Sequence, residues 1–139
     1  MDISSAPLAI KDLFKAALLV REKAHSPYSG FKVGAAIRTA QGQTFTGCNV
    51  ENSSYGGSNC AERVAIQKAV SETENLEIVE IMVVTDANPP WPPCGLCRQV
   101  MVEFGTQIKI YCSSTQGAYA EYTLNELLPN AFTPSNLKK

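Results

Sequence analysis

From Ile10 onward, Ile10, Leu13, Phe14, Ala17 and Leu18 recur at the three- and four-residue spacing of a helix with one buried stripe. Ser4 or Ser5 offers a cap, Pro7 suits the first turn, and the helix is expected to end around Ala24. A turn through His25-Ser26-Pro27-Tyr28-Ser29-Gly30 follows, and the period then becomes two. Phe31, Val33, Ala35 and Ile37 alternate as on a strand, Gln41-Gly42 turns the chain, and a second strand is expected through Phe45 to Val50. Asn59 stands as an N-cap before a second helix expected from Cys60 to about Glu72, with Val64, Ala65 and Ala69 facing inward. Ile78 to Val84 is apolar at both parities, the pattern of a central strand covered on both faces. The proline-rich crossing Asp86 to Pro93 leads to a third helix running from Cys94 toward Phe104. Ile108, Ile110 and Cys112 alternate on a fourth strand, and Gln116-Gly117 turns into a fifth over Tyr119 to Thr123. Thr123 and Glu126 have capping-box spacing for a short helix containing Leu127 and Leu128 and closed by Pro129.

Composition narrows the class. A chain of 139 residues with 45% apolar content suits one domain, spanning 1–139, with a real core. Twelve Lys and Arg against thirteen Asp and Glu leave no broad basic reserve for tracking a nucleic-acid backbone, so a nucleic-acid partner is not expected. No run is long and apolar enough for a membrane span, and the start lacks a signal-peptide pattern, so a cytoplasmic protein is the economical expectation. Five cysteines cannot all pair within the chain, which suits a reducing compartment.

Three of those cysteines carry the candidate chemistry. Cys94 and Cys97 form a C-x-x-C pair, and Cys60 lies in Asn59-Cys60-Ala61-Glu62-Arg63. Three thiolates would fill three of the four positions around one zinc ion and leave the fourth for water, as in a catalytic rather than a structural site. Glu62 is close enough in sequence to handle that water's proton. Inside a helix, Cys60 and Glu62 would be about 200° apart at roughly 100° per residue. They can share a site only at a helix mouth, where the positive helix end also favours thiolate. Glu62 has a second explanation, as the N3 partner of Asn59 in a capping box. Arg63 is either a surface ion-pair residue or a guanidinium that offsets thiolate charge.

The strings Phe31-Lys32-Val33-Gly34-Ala35-Ala36, Gly47-Cys48-Asn49-Val50-Glu51-Asn52, Cys60-Ala61-Glu62-Arg63 and Pro93-Cys94-Gly95-Leu96-Cys97-Arg98-Gln99 resemble those of the small homotetrameric zinc-dependent cytidine deaminases. The resemblance extends from Pro27 through Glu126-Leu127-Leu128-Pro129 to Phe132. It implies an α/β fold of three α/β/α layers around a mixed five-stranded sheet. It also implies one Zn2+ per chain on Cys60, Cys94 and Cys97, Glu62 as the proton shuttle, and a homotetramer whose pockets are completed by neighbours. Asn49 and Glu51 would hold the ribose, Phe31 would pack on the pyrimidine, and Ala61 and Phe132 would border the substrate. The implied reaction is hydrolysis of cytidine and deoxycytidine to the uracil nucleosides and ammonia, within pyrimidine salvage.

Ordinary structural roles stand beside these. Asn49 and Glu51 also fit a hydrogen-bonded strand end, Phe31 a core position, and His25, the sole histidine, a structural or solvent-facing one. Cys48 and Cys112 read as buried strand residues. Tyr55 fits local packing, a subunit interface or the pocket border. Gly57-Ser58 and Pro89-Pro90-Trp91-Pro92 depart from the family pattern, and Trp91 could narrow the entrance, pack between subunits or cover local apolar surface. Competing functions are deamination of a modified cytidine or another aminopyrimidine nucleoside and, from a different class, a zinc-stabilised binding protein without turnover.

Overall fold

The computed structural model describes residues 1–138. Five strands, β1 (Gly34–Thr39), β2 (Thr44–Cys48), β3 (Ile78–Thr85), β4 (Lys109–Ser114) and β5 (Tyr119–Thr123), form one sheet in the order β2-β1-β3-β4-β5. Only β3 and β4 are parallel, so the sheet is mixed, as expected. Gly42, at φ +87°, turns the β1–β2 hairpin in a conformation that side chains disfavour. Helix α1 (Leu8–Arg21) covers one face, α2 (Ala61–Glu72) and α3 (Gly95–Val102) cover the other, and α4 (Leu124–Leu127) follows β5.

Strand alternation sorts the core into two layers. Ala36, Met82, Val84 and Tyr111 point toward α1, where they meet Ile10, Leu13, Phe14 and Ala17. Ile37, Ile81, Val83, Ile110 and Cys112 point the other way, onto Ala65, Ile66, Ala69, Cys97 and Met101. The two-faced apolar run of β3 therefore serves two helical layers, as its sequence requires.

Several element ends differ from expectation, each for a local reason. Asp2, not Ser4 or Ser5, caps the opening turn, a 3-10 helix over Ile3–Ser5, and α1 starts after Pro7 without a side-chain cap. It ends at Arg21 rather than near Ala24. Phe31 lies outside β1, because the chain from Phe31 to Val33 is held by the side chain of Asn49 instead of by a ladder. Asn49 Nδ2 donates to the Phe31 carbonyl at 2.7 Å and Asn49 Oδ1 accepts from the Val33 N–H at 2.8 Å. The Thr123/Glu126 capping box is present. Cys112 is buried, whereas Cys48, at the end of β2, is only half-buried. His25 joins a bridge with Val50, its N–H donating to the Asn49 carbonyl and its carbonyl accepting from Glu51.

The layer that carries the site is closely fitted. A Cβ added at Gly47 in β2 would run into the α2 backbone, against Ala65 N and 2.6 Å from Ala61 O. Gly47→Ala is therefore expected to destabilise the protein by roughly 1–3 kcal/mol. Because it pushes on the first turns of α2, it should also weaken metal retention; denaturant titration with metal analysis of the same samples checks both.

Candidate active site

Two helix starts face one another and bring the three thiols together. Cys60 is the N-cap of α2 and Cys94 the N-cap of α3, both with extended backbone, while Cys97 sits on the first turn of α3. The N-cap of α2 thus falls one residue later than Asn59. The cause is a pair of backbone hydrogen bonds, Val50 N–H to the Asn59 carbonyl at 3.0 Å and Asn59 N–H to the Val50 carbonyl at 2.9 Å, which keep Asn59 in a bridge. Its side chain reaches Gln67 Oε1 instead, at 2.8 Å, and the Asn59/Glu62 capping box does not form. Capping therefore does not account for Glu62.

The three sulfurs lie within 4.8 Å of one another, with Cys60 Sγ and Cys94 Sγ 3.9 Å apart. A tetrahedral zinc with bonds of about 2.3 Å places sulfur atoms about 3.8 Å apart, so the cluster fits that ion with little adjustment. Cys60 is drawn down to about 5, first by a hydrogen bond from the Cys97 thiol and then by Arg63. The same hydrogen bond, with burial, pushes Cys97 up. Arg63 Nη2 approaches Cys60 Sγ at 3.4 Å, a contact that offsets thiolate charge.

Glu62 is buried beside these sulfurs, and its carboxyl is raised to about 7, foremost by loss of solvent and then by the charge of Cys60. A carboxyl near neutrality is suited to accepting and returning a proton. It opens, with Cys60, Ala61 and Cys94, onto a cavity of about 300 Å³ that also reaches Asn49 and Glu51.

Glu51 accepts from the N–H groups of Tyr28 and Ser29, both at 3.0 Å, and from Ser29 Oγ. The Ser29 hydroxyl is the main reason that its carboxyl lies below the ordinary range. Glu51 Oε2 takes only one of these bonds, and Asn49 keeps one N–H and one lone pair free, so both can still bind hydroxyls. Asn59 Oδ1 and Arg63 Nε are buried without a partner among the described residues, and both residues line the same cavity.

Two expected site residues are not in this cavity's wall. Phe31 stands outside it, edge-on to Trp91. Phe132 lines a separate hollow with Gln99, Glu103 and Leu137. Sequence reasoning also passed over Arg98, whose Nε donates to the Pro93 carbonyl at 2.8 Å and whose Nη1 donates to the Leu127 carbonyl at 2.7 Å. It thereby fixes the segment that delivers Cys94, and its position four residues after Cys94 was the available signal.

The sequence matches the family model of the cytidine and deoxycytidylate deaminase zinc-binding region over residues 9–113. It is 48% identical over 126 residues to the cytidine deaminase of Halalkalibacterium halodurans, spanning 90% of this chain and 95% of that protein. It is 43% identical over 118 residues to the probable cytidine deaminase of Dictyostelium discoideum, spanning 84% and 79%. The 1.6 Å crystal structure of cytidine deaminase from Burkholderia pseudomallei is similar at a TM-score of 0.83 and 45% identity, over 88% of this chain and 98% of that one. The chain belongs to the cytidine and deoxycytidylate deaminase family, and its three-thiol cluster fits the zinc of that family.

Protein purified without added metal is expected to hold one zinc per chain. Cys97→Ala should abolish retention, because Cys97 is buried and among the described residues no fourth side chain joins the ligand cluster. Asn49→Ala should leave retention intact; elemental analysis of the two variants checks both outcomes.

Proposed function

We propose that this chain is a hydrolytic nucleoside deaminase that converts cytidine and deoxycytidine to uridine and deoxyuridine with release of ammonia. The observation that carries this reading is a single cavity whose wall combines a buried carboxyl, the thiol cluster and two polar side chains, Asn49 and Glu51, with hydrogen-bonding capacity to spare. The similarity to proteins named cytidine deaminase supports the same substrate.

Cys60, Cys94 and Cys97 would hold the ion. When bound, zinc supplies Lewis acidity that brings water's ionisation near neutrality. Glu62 takes the proton that water gives up as it adds to C4 of the pyrimidine. It passes that proton to N3, then takes the proton of the new C4 hydroxyl and delivers it to the exocyclic nitrogen as the C4–N bond breaks, C4=O forms and ammonia leaves. Arg63 holds Cys60 in place and balances its charge. Asn49 and Glu51 orient the ribose hydroxyls, and Ala61 borders the base.

A free nucleoside suits the cavity better than a nucleotide. Its charged lining residues are Glu51, Glu62 and Arg63, and the one cation is engaged by Cys60. Among the described lining residues no cation besides Arg63 is available to receive a phosphate, and the carboxylate of Glu51 would repel one. The near-neutral chain likewise offers little to a nucleic-acid backbone.

The whole of 1–139 acts as one catalytic domain. Assembly as a homotetramer is supported by large apolar side chains left exposed, Tyr55 at 77% and Phe132 at 57% among them, which neighbouring copies would cover. A role in pyrimidine salvage in the cytoplasm follows from the free-nucleoside substrate and from thiols that must stay reduced. Among the described residues no helix is long and apolar enough to cross a membrane.

A screen of cytidine, deoxycytidine, their monophosphates and cytosine, followed for product and ammonia, tests the substrate. Nucleosides should react far faster than nucleotides or free base, and turnover confined to monophosphates would contradict the reading. Glu62→Gln keeps size and removes proton acceptance; it should retain fold and zinc while single-turnover deamination falls about 10²–10⁴-fold. Asn49→Ala and Glu51→Gln should impair nucleoside turnover with zinc content unchanged, and normal kinetics in both would undo the sugar assignment.

A further inference from the structure

Trp91, not Phe31, is the aromatic residue in the cavity wall among the described residues. Trp91 lines the cavity together with Val33, Glu62 and Cys94, whereas Phe31 is absent from the lining. Phe31 instead packs against Trp91, with ring centroids 5.2 Å apart and planes at 71°, an edge-to-face contact.

Both sides of this aromatic pair are held by the site itself. Phe31 is fixed through its carbonyl, which accepts from Asn49 Nδ2 at 2.7 Å. Trp91 lies in Pro89-Pro90-Trp91-Pro92-Pro93, where four prolines restrict the backbone, and the Pro93 carbonyl is tied to Arg98 Nε. The indole is therefore presented with little loss of chain entropy and is only three residues from the thiol of Cys94. Despite its size it remains 46% exposed, so part of its surface is available to a ligand.

We propose that Trp91 is a substrate-contacting binding residue, the aromatic wall against which the pyrimidine ring packs, with Phe31 as its buttress, an assignment that rests on the nucleoside-deaminase reading above. An indole against a flat base supplies a contact that tolerates changes of ring substituent. Its effect falls on binding, because Glu62 and the thiols that act on C4 are separate side chains. Trp91 thus contributes to KM, and Phe31 acts on the base through Trp91 as a positioning residue.

Trp91 is the only tryptophan in the chain, so intrinsic fluorescence reports this wall directly. The test compares wild type, Trp91→Phe and Trp91→Ala by cytidine kcat and KM, zinc content, thermal unfolding and particle size, with uridine titration of wild-type fluorescence. Trp91→Ala should raise KM roughly 5- to 150-fold, the range for loss of one base–aromatic stack, with kcat within a few-fold and zinc retained. Trp91→Phe should recover most of the lost affinity, and uridine should change wild-type fluorescence saturably.

A wild-type KM in Trp91→Ala, or fluorescence indifferent to saturating uridine, would overturn the assignment. So would a raised KM that returns to normal when higher protein concentration restores the wild-type particle size, since that places Trp91 at a subunit contact. If the wild type does not turn over cytidine, the deaminase reading fails by itself. Titration with unreacted cytidine then decides the wall: a saturable change at Trp91 upholds it, and a flat response overturns it.

Discussion

Three thiols that could hold one metal ion share a space less than 5 Å across, and much of the local architecture answers that demand. Two helices begin there, so their unsatisfied N–H groups and positive ends face the sulfurs. Arg63 adds a full charge at Cys60. The bridge between Val50 and Asn59 decides which residue caps α2, and Arg98 decides where the chain enters α3. A divalent ion completes the balance, since three thiolates around it leave a net charge of minus one.

The sheet fixes where this meeting takes place. Val83 and Thr85, near the carboxyl end of β3, form part of the cavity. That end lies beside the parallel partner β4 on one side and the antiparallel β1 on the other. A ligand at the carboxyl end of a strand next to a parallel crossover is a general outcome of α/β topology. Within this frame the polar groups are shared between folding and the cavity. Glu51 and Asn49 each use part of their hydrogen-bonding capacity on the backbone of residues 28–33, which makes them rigid before any sugar arrives. Under the proposed function, substrate orientation and local folding would thus depend on the same two side chains.

Periodicity made most of the fold legible. The two-faced apolar run of Ile78 to Val84 identified the central strand, and the Gln41-Gly42 and Gln116-Gly117 pairs marked both hairpins. The thiol cluster was legible because its geometry allows Cys60 beside Glu62 only at a helix mouth, and that is where α2 places them. Side-chain hydrogen bonds to distant backbone were not legible. Asn49 replaces strand pairing for Phe31 to Val33, so the alternation that started a strand at Phe31 was misleading. Asn59 was the better cap by residue type, yet a bridge to Val50 outweighs that preference. Which of the three readings of Trp91 holds was not legible either, because its place in the cavity wall beside Phe31 depends on how a proline-rich crossing folds.

The central claim is that this carboxyl and thiol arrangement adds water to C4 of a cytidine and expels its amino group. Incubating zinc-replete protein with cytidine in oxygen-18 water, with product mass and ammonia measured early in the reaction, tests it most directly. The account predicts uridine carrying one labelled oxygen at C4 and one equivalent of ammonia. Uridine formed without the label, or cytidine left unchanged by folded, zinc-replete protein, would contradict it.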